Sequence, residues 1–351
     1  MRIGLLIYGS LDTVSGGYYY DRRLVASLQE RGHAVQLISI PRRNATATLT
    51  AALSFRLPPD LDLLIQDELT HPSLFFANRS PHAYPVISLV HHLRSSEDHP
   101  AAQNFFNRII EASYLRSVDG FIFSSKTTQQ AVHALIGDGR PSVIAYPPTD
   151  RFSPVLAEAG IARRANQPGP LRILFVGNLV PRKGLSVLLT AISGLPANSV
   201  ILNVVGSRQA DPVYAKKITA QVAGLGLQAS IEFHGFLDDE SLQKQLEEAH
   251  VLVVPSSYEG FGIVYLEGMA FGLPAIGTTA GGACEIIQPG ENGFLIQPGD
   301  AAALTVYLIA LMTDRNLLAQ LSRKALASYR QVPAWDQTVD SIHDFLLGRL
   351  A

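Results

Sequence analysis

Short apolar runs recur along the whole chain, and most are followed by a stretch with helical periodicity. In the first half the runs at 3–8, 34–40, 61–66, 85–91, 118–124 and 142–146 read as strands, and helical patterns fill 18–31, 101–116 and 125–136. The second half repeats the rhythm. Its strands fall near 172–177, 199–206, 230–235, 250–254, 273–277 and 293–297, and its helices near 184–193, 212–224, 239–249, 262–271, 301–312 and 315–330. Strands alternating with helices imply a mostly parallel sheet covered on both faces. With 351 residues the chain is too long for one ordinary core, and 47% hydrophobic residues suffice for two. The expected class is α/β, with two doubly wound parallel-sheet domains.

Between the halves runs Tyr146-Pro-Pro-Thr-Asp-Arg-Phe-Ser-Pro154, then an Ala-rich piece and Asn166-Gln-Pro-Gly-Pro170. The prolines forbid a continuous helix or strand, which makes this the linker candidate. The expected domains are 1–154, joined by the terminal segment at about 335–351, and 155–334. That terminal segment reads as an amphipathic helix with Ile342, Phe345, Leu346 and Leu350 on one side.

Several classes are excluded by the same reading. The longest apolar runs are strand length and broken by Gly, Pro or charge, so no transmembrane span is expected. Met1-Arg2-Ile3-Gly4 enters a strand pattern directly, without a signal-peptide cleavage region. The lone Cys284 rules out an internal disulfide framework and agrees with a reducing cytoplasm. A net charge of −2 with interspersed signs gives no nucleic-acid footprint and no polybasic arm. A basic face assembled in three dimensions stays open, and with it peripheral contact with the inner face of a membrane.

The densest chemical pattern is Ser256-Ser-Tyr-Glu-Gly-Phe-Gly-Ile-Val-Tyr-Leu-Glu267. Val251-Leu-Val-Val-Pro255 before it reads as a buried strand, and Gly262 onward can be helical. Glu259 then lies in a loop and Glu267 about two turns into the helix. At roughly 1.5 Å rise per residue, the carboxylates sit on the order of 10 Å apart with the free helix amides between them. Such a site suits an anion flanked by hydroxyl-rich groups, as in a nucleotide sugar. The alternatives are acids decorating a helix start and a hydrolase pair, although glycosidase carboxylates sit roughly 5 to 9.5 Å apart across one bond.

Other motifs also follow strands, at the end of the sheet where open α/β folds bind ligands. Ser15-Gly16-Gly17 precedes a helix and suits either close approach to a phosphate or an ordinary loop. His91 and His92 end a strand, where a histidine can hydrogen-bond a sugar hydroxyl or pack structurally. Metal binding is not expected there, because neighbouring strand residues face opposite sides and no companion ligand cluster is visible. His71, His82 and His99 stand in proline-flanked loops and read as bland. Arg182 and Lys183, in Phe175-Val-Gly-Asn-Leu-Val-Pro-Arg-Lys-Gly184, can neutralise a diphosphate or simply be solvated. The turn at 278–286 carries Gly281, Gly282 and Glu285, and Cys284 within it reads as a packed thiol. The loops Ile65–His71 and Leu93–Asn104 are the least motif-like parts of the first half, and 93–104 suits either a mobile lid or ordinary surface.

These residues resemble the retaining, GT-B-fold glycosyltransferases of group 1, or family four. The Glu259-x7-Glu267 motif, Gly260-Phe-Gly262, Phe271-Gly-Leu-Pro-Ala275, Gly281-Gly282 with Glu285, and Asn292-Gly293 match that family's nucleotide-sugar signature in order and spacing. Gly16-Gly17, Arg31-Gly-His33, Val176-Gly177, Lys183-Gly184, Val205-Gly206 and His234-Gly235 match its other landmarks. The resemblance implies two Rossmann-like domains facing a central cleft, with a C-terminal helix crossing back to the first. It implies that Glu267 holds the ribose, that Glu259 lies near the donor sugar, and that Lys183 and Arg182 bind the diphosphate with backbone amides at Phe261, Gly262 and Ile263. Gly17, beside Gly16, approaches the phosphate, His91 contacts the sugar, and Gly235 and Phe236 contact the base. Gly260, Val264 and Asn178 complete the donor set.

Asn178 stands where many members carry arginine, and Tyr-Pro-Pro-Thr-Asp replaces the commoner Pro-Asn-Gly-Val-Asp. The expected function is retaining transfer from a nucleotide sugar to a hydroxyl acceptor, with no metal and no cofactor. The rivals are a nucleotide-sugar epimerase or hydrolase, and a non-catalytic nucleotide-sugar-binding protein. A pyridoxal-phosphate phosphorylase is more distant, because no Schiff-base lysine motif is recognisable.

Overall fold

The computed structural model describes residues 1–13, 15–41, 55–74, 76–152 and 158–350. They form two compact units, one of Met1–Pro148 with Pro333–Ala351 and the other of Thr149–Val332. Each is built on a six-stranded sheet in which every pairing is parallel.

In the first unit the strands are β1 (Arg2–Tyr8), β2 (Ala34–Ile40), β3 (Leu63–Asp67), β4 (Val86–Val90), β5 (Gly120–Phe123) and β6 (Ser142–Ile144), in the order β2-β1-β3-β4-β5-β6. Strands β3, β4 and β5 are buried throughout, which is why they read as unbroken apolar runs. Trp335, Val339, Ile342 and Leu346 of the Trp335–Leu347 helix join Ile3, Leu5, Tyr20 and Leu24 in one core cluster, so the end of the chain belongs to the first unit. Leu350 departs from the expected stripe. The helix stops at Leu347, and Leu350 beyond it is exposed.

In the second unit β7 (Leu171–Val176), β8 (Val200–Val205), β9 (Ile231–Gly235), β10 (Val251–Val253), β11 (Ala275–Thr278) and β12 (Gly293–Ile296) lie in the order β12-β11-β10-β7-β8-β9. The order reverses direction between β7 and β10, and such a switch point opens a crevice at the carboxyl ends of the strands. The Ala-rich piece assigned to the linker is instead a helix, Glu158–Ala165. It buries Ile161 and Ala165, and Arg164 donates to the carbonyls of Phe271 (2.8 Å) and Gly272 (3.0 Å), so the segment is part of the unit's core.

The Ile65–His71 segment, which reads as a loop, is largely regular structure instead. Strand β3 runs on to Asp67, a 3-10 turn covers Glu68–Thr70, and Gln66, Asp67, Glu68, Thr70 and His71 are all buried.

Candidate functional site

The loops after β7 and β10 meet at the switch point of the second unit. Val180 leads into a 3-10 turn, Pro181–Lys183, which carries both cations. Arg182 accepts the amide of Ser257 at its carbonyl (2.8 Å) and donates its guanidinium to the carbonyl of Tyr258 (2.8 Å), locking the loops together. Lys183 Nζ lies 2.6 Å from Glu259 Oε1, and Arg182 Nη1 is 3.5 Å from Glu259 Oε2. Ser256 Oγ donates to the same carboxylate at 2.5 Å.

Burial pushes the Glu259 pKa upward, but Lys183, Arg182 and Ser256 outweigh it and hold the group at about 2, well below its ordinary 4.5. Lys183 is shifted down by burial, which the attraction of Glu259 only partly offsets. The arrangement is a largely buried contact between neighbouring loops in which two cations share one carboxylate.

Glu259 also has a second support. Gly281 pairs with it as an isolated parallel bridge, and the Gly282 amide donates to the Glu259 carbonyl at 2.7 Å. A Cβ on Gly281 would lie 2.0 Å from that carbonyl oxygen, at a φ of +82° that disfavours side chains. Within this unit, the glycines of the 278–286 turn thus let one loop back onto another. Cys284 is not packed as expected: the short helix Ala283–Ile286 turns Ala283 and Ile286 inward and leaves the thiol exposed, near the Gly281 carbonyl.

The helix after the loop is Ile263–Ala270, with Gly262 left-handed at φ 94° as its N-cap. Glu267 is its fifth residue, so it sits little more than one turn in rather than two, because Gly262 stays outside the helix. Glu267 is buried, and Arg151 Nη1 pairs with it at 2.9 Å while Arg151 Nη2 reaches Asp239 at 2.6 Å. Burial raises the Glu267 pKa against the pull of Arg151. Arg151 was invisible as a site residue because it sits in the proline-rich segment that reads as linker. Its pairing with an acid 116 positions away has no local signal.

Asn178 spends its side-chain oxygen on the Ser207 amide at 3.1 Å, joining the loops after β7 and β8. The Gly235 carbonyl accepts the Gly206 amide at 2.7 Å, and Phe236 beside it is 58% exposed. Phe261 and Val264 are buried, and Gly260 and Ile263 half-buried.

In the first unit Gly16 and Gly17 form the first turn of the Gly16–Glu30 helix rather than preceding it, since Ser15 caps that helix by accepting the Tyr18 amide. A Cβ on Gly17 would sit 3.3 Å from His91 Cδ2, so the bare glycine makes room for the imidazole. His91 Nε2 lies 3.3 Å from Asp21 Oδ1, and the ring meets Tyr20 edge-on at 5.2 Å between centroids. Ser124 and Thr128 donate to the His91 carbonyl at 3.0 and 3.2 Å. His92 turns away to Glu97 at 2.9 Å.

Contrary to the sequence reading, His91 has companions. Ligand-type atoms of Asp21, Asp67 and His91 all lie within 4.8 Å of one another, and so do those of Glu68, His71 and Glu111. His71, which read as bland, is thus a buried partner of two acids. The fold assembles these groups from three elements each, so no motif announces them. Burial and the neighbouring Asp21 raise Asp67 to about 7, and the carboxylates raise His91 against the effect of its burial. This polar cluster fixes the His91 ring at the carboxyl end of β4.

Two Rossmann-like units, with charged and glycine-rich loops at the carboxyl ends of parallel strands, define the GT-B architecture. Sucrose-phosphate synthase from Thermosynechococcus elongatus has the same fold, at a TM-score of 0.83 and 21% identity over 99% of this chain and 98% of that one. HepE from Anabaena, solved with UDP-glucose, is similar at a TM-score of 0.77 and 20% identity, covering 99% of this chain and 100% of that one.

Residues 160–327 match the family model described as glycosyl transferases group 1. The D-inositol 3-phosphate glycosyltransferase of Geodermatophilus obscurus is 30% identical over 223 residues, covering 61% of this chain and 49% of the relative. The chain spans about half the length of the first curated relatives that it matches.

Proposed function

We propose that the protein transfers a glycosyl group from a nucleoside-diphosphate sugar to a hydroxyl-bearing acceptor, with retention of anomeric configuration. The observation that carries this reading is the placement of Arg182 and Lys183 against Glu259 at the β7/β10 switch point, beside the N-terminus of the Ile263–Ala270 helix. The ammonium of Lys183 has three donors, and its contact with Glu259 takes one, so a diphosphate oxygen can share the same cation. The family match over residues 160–327 and the nucleotide sugar bound by HepE support the donor class.

In this reading Lys183, Arg182 and the amides of Phe261, Gly262 and Ile263 take the diphosphate, Glu267 the ribose, and Gly235 with Phe236 the base. Glu259 lies by the anomeric carbon without attacking it. His91 contacts the donor sugar, and Gly17 its phosphate. The donor is assigned to the second unit and the acceptor to the first. The acceptor hydroxyl attacks the anomeric carbon on the face the diphosphate leaves, the C–O bond to phosphate breaks, and a phosphate oxygen takes the hydroxyl proton. Positioning and charge stabilisation supply most of the acceleration, with no metal required.

Thermal-shift screening with a panel of nucleotide sugars identifies the donor, because a ligand of the folded state raises the melting temperature. Turnover of that donor with acceptor fractions follows, and the product's anomeric configuration is read by NMR. Inverted product, a trapped sugar ester on Glu259, or activity abolished by EDTA and restored by a divalent ion each overturn part of the mechanism. Full-rate donor breakdown without acceptor overturns the transferase assignment itself.

A further inference from the structure

Arg151 grips the carboxylate assigned to the ribose, and its contacts run to two helices of the second unit. Its Nη1 donates to Glu267 Oε1 at 2.9 Å, on the Ile263–Ala270 helix. Its Nη2 and Nε donate to Asp239 Oδ1 at 2.6 and 3.2 Å, at the first residue of the Asp239–Glu248 helix. The planar fork of a guanidinium can span two carboxylates in this way, whereas an ammonium is a single point of charge. Arg151 Cζ lies over the Phe152 ring, 5.0 Å from its centroid, and that buried ring meets Phe271 edge-on at 5.7 Å between centroids. Phe271 caps the helix that carries Glu267, so the cation and its carboxylate are fixed to one element.

The pairing uses only half of the carboxylate. Arginine and carboxylate commonly meet through two parallel hydrogen bonds, but here the guanidinium spends its other edge on Asp239. Glu267 Oε2 accepts no hydrogen bond among the described residues, and the side chain keeps 6% of its surface open. That oxygen is left to a donor arriving from outside. Asp239 follows Phe236 by three residues, so Arg151 also ties the segment assigned to the base to the carboxylate assigned to the ribose. Burial raises the Glu267 pKa and Arg151 is the leading influence against it, so the same guanidinium favours the anionic carboxylate, the stronger acceptor.

We propose that Arg151 is a positioning residue for the donor nucleotide, holding Glu267 so that Oε2 accepts a hydrogen bond from the ribose diol, and that this contact selects ribonucleotides over nucleotides lacking those hydroxyls. The inference rests on the assignment of Glu267 to the ribose made above. It adds a residue outside the Glu259–Glu267 motif. In this role Arg151 acts through Glu267, and Asp239 acts through Arg151.

The experiment is calorimetric titration of the full chain with UDP, GDP and ADP, each beside its 2′,3′-dideoxy counterpart, the tightest pair being carried through the variants. Wild type is expected to bind the ribonucleotide about tenfold more tightly than the dideoxy form, the worth of a hydrogen bond to a charged group. Glu267→Ala should lose that preference. Arg151→Gln should lose it too, chiefly by weakening the ribonucleotide. Arg151→Lys keeps the charge but cannot span both acids, and Asp239→Asn lies at a side chain 64% exposed. Both should fold and give an intermediate ratio, so the comparison survives if Arg151→Gln does not fold. A loss of stability alone weakens both nucleotides alike and leaves their ratio unchanged. A wild-type ratio in the Arg151 variants, with the ratio lost in Glu267→Ala, overturns the proposal and leaves the ribose assignment standing. A ratio kept in Glu267→Ala, equal affinities in wild type, or a wild type that binds none of the three overturns that assignment and the proposal with it. Tighter ribonucleotide binding in Arg151→Gln would make Arg151 a competitor for Glu267, which also overturns the proposal.

Discussion

Lys183 and Glu259 form a 2.6 Å ion pair between the two loops that flank the switch point of the second sheet. The side chains are 17% and 8% exposed, so removing Lys183 leaves Glu259, in a poorly solvated place, with only the longer Arg182 contact and the Ser256 hydroxyl. For Lys183→Met we expect a loss on the order of 3 kcal/mol, which is about 6–12 °C in a unit of this size. The Lys183→Met, Glu259→Leu double variant should regain most of that stability and none of the donor binding. Calorimetry beside nucleotide titration separates the two effects. A single variant that melts like wild type would remove the pair's structural role.

Gly281 and Gly17 make contrasting substitutions. Gly281→Ala drives a methyl to 2.0 Å from the rigid Glu259 carbonyl at positive φ, so the loop carrying Glu259 must move. We expect a stability loss of about 3 kcal/mol or more and loss of nucleotide binding. Gly17→Ala meets the edge of an imidazole at 3.3 Å, which can yield by a few tenths of an ångström. Its melting temperature should hardly change while turnover drops, because the displaced group is His91. Parallel thermal melts and turnover assays compare them directly, and equal stability losses would contradict the contrast.

What the sequence revealed and what it hid divide along a physical line. Strand positions, helix positions and the glycine-punctuated loops are local patterns, and most elements fall within a residue or two of where the periodicity puts them. Glu259 and Lys183 were legible because each sits in a dense motif. Arg151 was not, since its partners Glu267 and Asp239 arrive from other elements and its own surroundings read as linker. Asp21, Asp67 and His91 converge because the helix after β1 and the ends of β3 and β4 adjoin in the sheet, and sequence spacing carries no trace of that adjacency. The Glu158–Ala165 helix was missed because flanking prolines bound it without entering it.

The buried acid–histidine cluster makes the first unit sensitive to alkaline pH. Asp67 is raised from 3.8 to about 7, so the folded state holds a proton that the unfolded chain releases, and the stability this gives is complete below about 3.8 and lost as pH rises through 7. The upward shift of His91 acts with the same sign: its contribution is present below the ordinary 6.5 and lost as pH rises through the folded value. Melting temperature should therefore fall between pH 6 and 8. In Asp21→Asn the fall should flatten, because Asp21 is a charge that raises both groups. Thermal melts across that range, with histidine proton NMR to follow His91, provide the check; an unchanged slope in the variant would exclude Asp21 as the cause.

Arg151 is the charge that opposes protonation of the buried Glu267 carboxylate, and its removal has a different pH signature in the second unit. Burial already raises Glu267, and Arg151 is the leading influence opposing it. In Arg151→Gln the carboxyl pKa rises further, so the folded state binds a proton more tightly than the unfolded chain. The resulting stability is present below the ordinary 4.5 and lost as pH climbs through the folded value. The variant should thus lie close to wild type near pH 5, where Glu267 can protonate and needs no cation, and fall clearly below it at pH 8, by about 3 kcal/mol if the stranded charge behaves like other broken buried pairs. Glu267→Gln added to Arg151→Gln should erase most of the pH 8 deficit. Denaturant melts at the two pH values measure this, and a deficit of equal size at both would mean that Arg151 acts through its contacts with Asp239 and Phe152 instead.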